Sequence, residues 1–347
     1  MRLLDFLMSV ANGLPNQLTY FVTSKCNGKC IHCFYWKSLN KKRDELTIDE
    51  IEKISKNINH LYWLYISGGE PFLRDDLAKI CELFYKNNKV KSIVIPTNAL
   101  LPEKIAKITE EILISCDKAK VTVNLSIDGL DSLHDKIRGV KGSFNKLLST
   151  YKLLQKLKIK YHNFALGANI VCSKYNQEQL MDIYSFLKNK MAFDNINLSL
   201  IRGNPKDFKS TNVDLRYYKT LTEVMDNGYK QYTGFVHNIA CAKDRLMHKI
   251  ILKTVENKRQ IIDCYACRTS AVIDEVGNVY PCEMLQKIGN LRENNYNFKE
   301  IWLSDNAKKI RDDIRNKKCF CTHECFISNS ILSNIRMMPI LLKEMVS

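Results

Sequence analysis

Apolar and polar positions along this chain alternate between two periods, one of strands and one of helices. Leu18 to Val22 form an apolar run that reads as a buried strand. Thr47 and Glu50 make a capping box ahead of Ile48, Ile51, Ile54 and Ile58, which recur at helical spacing. LYWLYI (61–66) reads as a strand, 76–87 as a helix, SIVI (92–95) as a strand and 102–115 as a helix. VTVNLSI (121–127) is the next strand, and Phe144, Leu147, Leu148, Tyr151 and Leu154 mark a helix. ALGANIV (165–171) and NLSLI (197–201) are strands on either side of a helix lined by Leu180, Ile183 and Leu187. Six strands separated by helices predict an α/β fold, a parallel sheet with right-handed crossovers. In such sheets ligands gather beyond the C-terminal strand ends.

The polar motifs fall at those ends. Cys26, Cys30 and Cys33 follow the first strand in TSKCNGKCIHCFYW, spaced C-x3-C-x2-C. Such a loop can fold three thiolates around one face of an iron–sulfur cluster, leaving one iron of a four-iron cluster open for a substrate or cofactor. Zinc is the other reading, although zinc sites more often show two separated C-x2-C pairs. SGGEP (67–71) follows strand two and PTN (96–98) follows strand three. Gly68 and Gly69 let backbone approach a ligand, and Glu70 places a carboxylate at the strand end, suited to an ammonium group. Ser126 and Asp128 close strand four and can hydrogen-bond hydroxyls. Arg138 offers a planar fork for a carboxylate, and Arg202-Gly203 follows strand six.

Composition narrows the setting. The chain has 347 residues, 45% of them hydrophobic, enough for one large domain or two. No run reaches the roughly 18 apolar residues of a membrane span. The start, MRLLDFLMSVANGLPNQ, reads as a small amphipathic helix over 1–16, not a signal peptide. Thirteen cysteines at metal-like spacings in a large chain favour a reducing cytoplasm over a disulfide scaffold. Cys81, Cys116 and Cys172 stand alone and read as core residues. The net charge of +16 suits lysine-coated helix faces, with KKRDEL (41–46) and 306–318 mixing both signs. No basic run interleaves with aromatics, which argues against nucleic acid as partner.

From residue 264 the alternation stops. Cys264-x2-Cys267 precedes a β-hairpin over 273–280 with Gly277-Asn278 at its turn, and Cys282 follows it. CFCTHEC then supplies Cys319, Cys321 and Cys325. Six cysteines around a hairpin make a metal site, tetrahedral zinc being the alternative to iron–sulfur.

In the order and spacing of the cysteine triplet, GGEP (68–71), SIDG (126–129) and IRG (137–139), the chain resembles the radical S-adenosylmethionine (SAM) enzymes over about residues 17–205. The resemblance implies a partial (β/α)6 TIM-like barrel. It implies that the open iron chelates the amino and carboxylate groups of SAM, and that electron transfer releases a 5′-deoxyadenosyl radical that abstracts a substrate hydrogen. Carried over by position, Cys26, Cys30 and Cys33 hold the cluster, and Gly68 to Glu70 meet the methionyl ammonium. Ser126 meets the ribose, Arg138 the carboxylate, and Tyr35 lies near the adenine. His32 stands where the family favours an aromatic and is read as packing.

The C-terminal cysteines resemble the SPASM or twitch extensions of the same enzymes, a small α+β domain holding auxiliary clusters. Cys267-x9-Gly277-x4-Cys282 fits the SPASM opening, while C-x-C-x3-C departs from its ending, so one auxiliary four-iron cluster is expected. Cys267 and Cys282 are its surest ligands, with the rest drawn from Cys264, Cys319, Cys321 and Cys325. Cys264-x2-Cys267-x14-Cys282 is also similar to the molybdenum-cofactor cyclase, but the Gly-Gly tail of that enzyme is absent. The expected organisation is a helix (1–16), the barrel (17–230), a linking helix (231–263), the auxiliary domain (264–330) and a tail (331–347). The resemblance favours peptide or protein maturation by crosslinking, epimerisation or oxidation. A sugar or polyol dehydrogenase is the alternative, and an electron carrier a third reading that has no use for a SAM pocket. Partners would include a flavodoxin or ferredoxin as electron donor. Only about 17 residues precede the first strand, so a peptide-recognition protein would be separate. By likeness to the sulfatase-maturing enzymes, Glu283 after Cys282 is the expected substrate base.

Overall fold

The computed structural model describes residues 13–228 and 234–345. Six strands, β1 (Gln17–Phe21), β2 (Trp63–Ser67), β3 (Ser92–Thr97), β4 (Lys120–Ser126), β5 (Phe164–Cys172) and β6 (Asn195–Leu200), pair in parallel and in chain order. Their apolar alternation fixes which face is covered. Leu64, Ile93, Val121, Val123 and Ile170 are fully buried. Packed around that core are α1 (Ile48–Lys56), α2 (Leu77–Asn88), α3 (Pro102–Ser115), α4 (Asp131–Arg138), α5 (Ser143–Lys160) and α6 (Leu180–Lys190), through residues such as Ile51, Ile80, Ile105, Leu147 and Ile183. Cys81, Cys116 and Cys172 are buried core residues, as their isolation in sequence predicts. The amphipathic helix expected over 1–16 lies almost wholly outside the described residues.

The C-terminal hairpin is not a separate sheet. β7 (Ser270–Ile273) pairs in parallel with β1, Thr19 opposite Val272, and β8 (Asn278–Tyr280) and β9 (Gly289–Asn290) continue antiparallel from it. Among the described residues the nine strands form one sheet, with β6 at one edge and β9 at the other. After α7 (Leu215–Gly228) and α8 (Phe235–Asn257), the chain beyond β9 adds α9 (Phe298–Leu303), α10 (Asp305–Arg315), α11 (Glu324–Ser333) and α12 (Met338–Met345). The last lies in the segment expected as a tail, and Glu344 ties it to Arg245 and Lys249 of α8. KKRDEL is a loop and not a helix face. Two of its charges make tertiary ion pairs, Arg43 with buried Glu275 at 2.9 Å and Asp44 with Arg292 at 3.1 Å.

The capping box of α1 is present, Glu50 and Thr47 bonding reciprocally. The same carboxylate takes Arg292 at 2.6 Å and the Tyr296 hydroxyl at 2.9 Å, so a helix start in the barrel is tied to the segment after β9. The hydrogen bonds from Arg292, joined by those from Thr47 and Tyr296, hold its carboxyl down at about 2. Glu50→Ala is expected to cost about 1–3 kcal/mol by denaturant titration, from a lost cap and a charge-assisted bond. A depressed pKa stabilises above the unfolded value of 4.5 and ceases to as the pH falls towards about 2. The gap between wild type and variant is therefore expected to narrow below pH 4.5.

Candidate functional site

The cysteine loop leaves β1 and is fixed mainly through its backbone. Asn40 brackets Cys26, accepting from its N–H at 2.9 Å and donating to its carbonyl at 3.0 Å. The N–H groups of Lys29 and Ile31 donate to the carbonyls of Arg138 and Ile137 at the end of α4, each at 3.0 Å. Glu45 accepts from the Ser24 N–H and the Thr23 hydroxyl. Gly68 and Gly69 serve this same packing. A Cβ on Gly68, whose φ is +120°, would stand 2.4 Å from the Thr23 carbonyl oxygen, and one on Gly69 2.1 Å from that of Lys25. The two glycines thus let the β2 loop lie against the cysteine loop.

One cleft at the C-terminal strand ends is lined by Cys26, Cys30, Cys33, Gly68, Gly69, Glu70, Ser126 and Arg138, which the sequence placed together, and by His32, Phe34, Asn98 and Arg202. The thiols fit a cluster. Burial pushes Cys26 up to about 12 and Cys33 to about 11, so as free thiols they are neutral, and a metal would have to displace their protons. Arg138 lies 3.5 Å from the Cys30 sulfur, and the Asn98 amide 3.9 Å from that of Cys26.

Four expected residues take other roles. Glu70 is 1% exposed, and its carboxylate accepts from the Thr97 hydroxyl (2.8 Å) and the N–H groups of Asn98 (2.7 Å) and Phe72 (3.3 Å). Burial pushes it up to about 7 against those three donors. It ties the β2 end to the β3 end and does not present a free charge to an ammonium. Asp128 is fully buried outside the cleft lining, paired to Arg138 at 2.5 Å and accepting from the Val171 N–H at 2.8 Å. Burial works to raise its carboxyl, but Arg138, joined by that N–H, brings it below the usual range. Asp128 therefore aims Arg138 and binds no hydroxyl itself. His32 packs 3.5 Å from Asp128, and burial lowers its pKa, so it stays neutral. Tyr35 turns away from the cleft, its ring edge-on to Phe21 and its hydroxyl donating to Glu275 at 2.5 Å; Phe34 lines the cleft in its place.

Glu283 is the fourth. It is outside the cleft lining, behind Arg202, with Arg202 at 3.3 Å and His323 at 2.8 Å. Burial would raise its carboxyl, but these two partners take it to about 2. A carboxylate already paired with Arg202, with the His323 ring 2.8 Å away, is poorly placed to accept a substrate proton. Arg202 itself was marked in the sequence only by its place after strand six. It stacks over Phe34 at 5.4 Å and pairs with Glu324 at 3.1 Å, so it joins the cysteine-triplet loop to the residues beside Cys282 and Cys325.

The C-terminal cysteines divide. Cys264, Cys319 and Cys321 border one cavity. The Cys282 thiol, raised first by burial, is raised further by Cys321 and Cys264. Cys267, named as a surest ligand, has its sulfur 3.8 Å from the Ala307 carbonyl oxygen and 3.9 Å from Arg311. Cys325 is raised by burial and then by Glu283. Among the described residues no three His, Cys, Asp or Glu side chains converge on a point for a single ion.

The sequence matches the model of the Radical SAM superfamily over residues 20–187 and that of SPASM, an iron-sulfur cluster-binding domain, over 264–326. It is 27% identical over 340 residues to the AdoMet-dependent heme synthase of Methanosarcina barkeri, covering 91% of each chain. It is 25% identical over 333 residues to the cysteine-type anaerobic sulfatase-maturating enzyme of Clostridium novyi, covering 86% of this chain and 83% of that one. The structure is similar to that of Streptococcus suis SuiB bound to S-adenosylmethionine, with a TM-score of 0.61 at 21% identity over 86% of this chain and 68% of that one.

Proposed function

This chain belongs to the radical SAM superfamily and carries a SPASM iron–sulfur domain, and from that premise we propose that it matures a peptide or protein. The cofactors are SAM, the cluster that cleaves it and an auxiliary cluster; together they supply a 5′-deoxyadenosyl radical and an electron acceptor. Cys26, Cys30 and Cys33 would hold the first cluster. Ser126 and Arg138 would meet SAM, with the backbone of Gly68 and Gly69 beside its ammonium. Electrons would come from a flavodoxin or ferredoxin. Glu283 acts here by holding Arg202 in place.

One observation carries this reading. Side chains alternate along a strand, so Asn124 shares the lumen face of β4 with Ser126. In register beside them, Asn195 lies 3.5 Å from Asn124, and Asn197 donates to Asn169 at 2.9 Å. Gly167 leaves room for this, since a Cβ there would stand 2.0 Å from the Asn124 oxygen. The result is an uncharged wall of amides from the cleft to β6, the edge strand, where Asn197 is exposed. An extended chain, with a donor and an acceptor at each residue, suits a wall of that chemistry that runs out to an open edge. The carboxylates of a tetrapyrrole would find no cation on it. A polyol would also bond to amides, but has no need of the open edge.

The test follows deuterium. Cells grown in deuterated medium supply the substrate pool, offered to the reconstituted enzyme with reductant and unlabelled SAM. Deuterium is expected in 5′-deoxyadenosine, and digestion of the pool with a broad protease should remove the signal. Transfer that survives the protease would overturn the peptide reading in favour of a small molecule.

A further inference from the structure

The loop that carries Cys26, Cys30 and Cys33 is one-sided in charge. From 25 to 43 it has Lys25, Lys29, Lys37, Lys41, Lys42 and Arg43 and no acid, whereas the basic segment 306–318 includes Asp312 and Asp313. Among the described residues only Arg43 of these cations is in an ion pair, with Glu275 at 2.9 Å. The segment after β6 lies along the same loop. The N–H groups of Lys206 and Asp207 donate to the carbonyls of Cys33 and Ile31 at 3.1 and 2.8 Å, and the Trp36 indole N–H donates to that of Asn204 at 3.1 Å. On the other flank the Lys29 N–H is held by the Arg138 carbonyl at 3.0 Å. Main-chain bonds therefore fix Lys29 next to Cys30 and Lys206 beside Cys33. Both lysines are exposed. Trp36 is 38% exposed with the Lys37 Nζ 5.7 Å above its ring, and Phe208 is 70% exposed. Asp207 is the one acid in 202–209, and its carboxylate is taken up by the Tyr175 hydroxyl and the Lys209 N–H. None of Lys29, Trp36, Lys206 and Phe208 lines the cleft.

We propose that this outer face of the cysteine loop is the docking surface of an acidic one-electron carrier protein. The proposal rests on the SAM-cleavage reading above and adds where the electron enters. Electron transfer weakens steeply with distance, so the carrier must meet the chain where the loop of Cys30 and Cys33 is itself the surface. Cations with no acid among them steer a partner of opposite charge onto that spot. Exposed aromatic side chains such as Trp36 and Phe208 are the kind that anchor an interface. One electron leaves the carrier for each SAM cleaved. It breaks the bond from sulfur to C5′, giving methionine and the 5′-deoxyadenosyl radical, and leaves the carrier oxidised by one electron. A lipid surface or a nucleic acid would be served by charge anywhere on a chain of net charge +16 and has no reason to seek this loop.

The reconstituted full chain is assayed for 5′-deoxyadenosine with photoreduced flavodoxin below saturation and, separately, with excess dithionite. Lys29→Gln with Lys206→Gln should lower the flavodoxin-driven rate about tenfold at about 0.05 M salt, through KM for the carrier, and the gap should close as salt rises to about 0.5 M. Phe208→Ser should lower the same rate several-fold with little dependence on salt. With dithionite the two variants and the wild type should run alike, and their iron content and melting temperature should agree, because all three side chains are exposed. An undiminished flavodoxin-driven rate in the glutamine variant would overturn the proposal. So would an equal loss with dithionite, which would assign the lysines to the cluster itself or to an acidic stretch of the peptide. Wild type that cleaves SAM with dithionite but takes no electron from flavodoxin or ferredoxin would overturn it as well, leaving the cleavage reading in place. Wild type that forms no 5′-deoxyadenosine with dithionite would remove the cleavage reading, and this surface with it.

Discussion

Replacing Cys26, Cys30 and Cys33 together by alanine is expected to abolish 5′-deoxyadenosine formation and to lower iron from about eight to about four per chain. Two separate readouts matter because loss of activity alone could mean a collapsed loop. The structure argues against collapse. Asn40, Arg138, Ile137 and Glu45 hold the loop by bonds to its main chain or to Thr23, and none of those needs a sulfur. Gly68 and Gly69 pack against carbonyls of the same loop. The triple variant should therefore keep its melting profile apart from the stabilisation the cluster itself provides. Auxiliary iron should remain, because the second cysteine set lies in 264–325. If the variant still cleaved SAM, the triplet would not be the site of the chemistry, and the cleft built around it would need another role.

Much of this site was legible in the sequence because its parts follow strand ends. A run such as LYWLYI declares a buried strand, and the parallel order then carries SGGEP, Ser126 and the cysteines to one rim. Direction of side chains was not legible. Tyr35 follows Cys33 by two residues, but the Phe21 ring and the buried Glu275 draw it to the other side of the loop. Glu70 has the charge an ammonium would want, and only the fold shows three donors already on it. The α4 helix, DSLHDKIR, has too few apolar residues to register as periodic. The union of β7 with β1 depends on a pairing across some 250 residues, for which Ser270–Ile273 carries no local sign. His323 and Arg202 gave no signal beyond their neighbours, since a buried ion-pair network is assembled by tertiary packing alone.

That network bears on the second large effect. Cys264→Ala with Cys282→Ala is expected to halve the iron, to leave 5′-deoxyadenosine formation in place and to stop substrate oxidation. Cys264 and Cys321 lie on one cavity and act on the Cys282 thiol, so removing two of the set takes away half of a four-thiolate site. The barrel should be indifferent. β7 holds to β1 through main-chain pairing from Gln17–Ser270 to Tyr20–Ile273, which lies outside the substituted positions. Arg202 keeps its partners Glu283 and Glu324, so the cleft wall over Phe34 stays as it is. What is lost is the destination of the second electron. Hydrogen abstraction leaves a substrate radical, and an oxidised product needs one more electron removed. Mass spectrometry of the peptide product, iron and sulfide analysis, and 5′-deoxyadenosine yield then separate the outcomes. Zinc in the anaerobically purified wild type, or iron undiminished in the variant, would remove the auxiliary cluster from Cys264, Cys282, Cys319 and Cys321. Undiminished product from a variant with half the iron would mean that the reaction is redox-neutral, such as an epimerisation, and that the second cluster serves the fold.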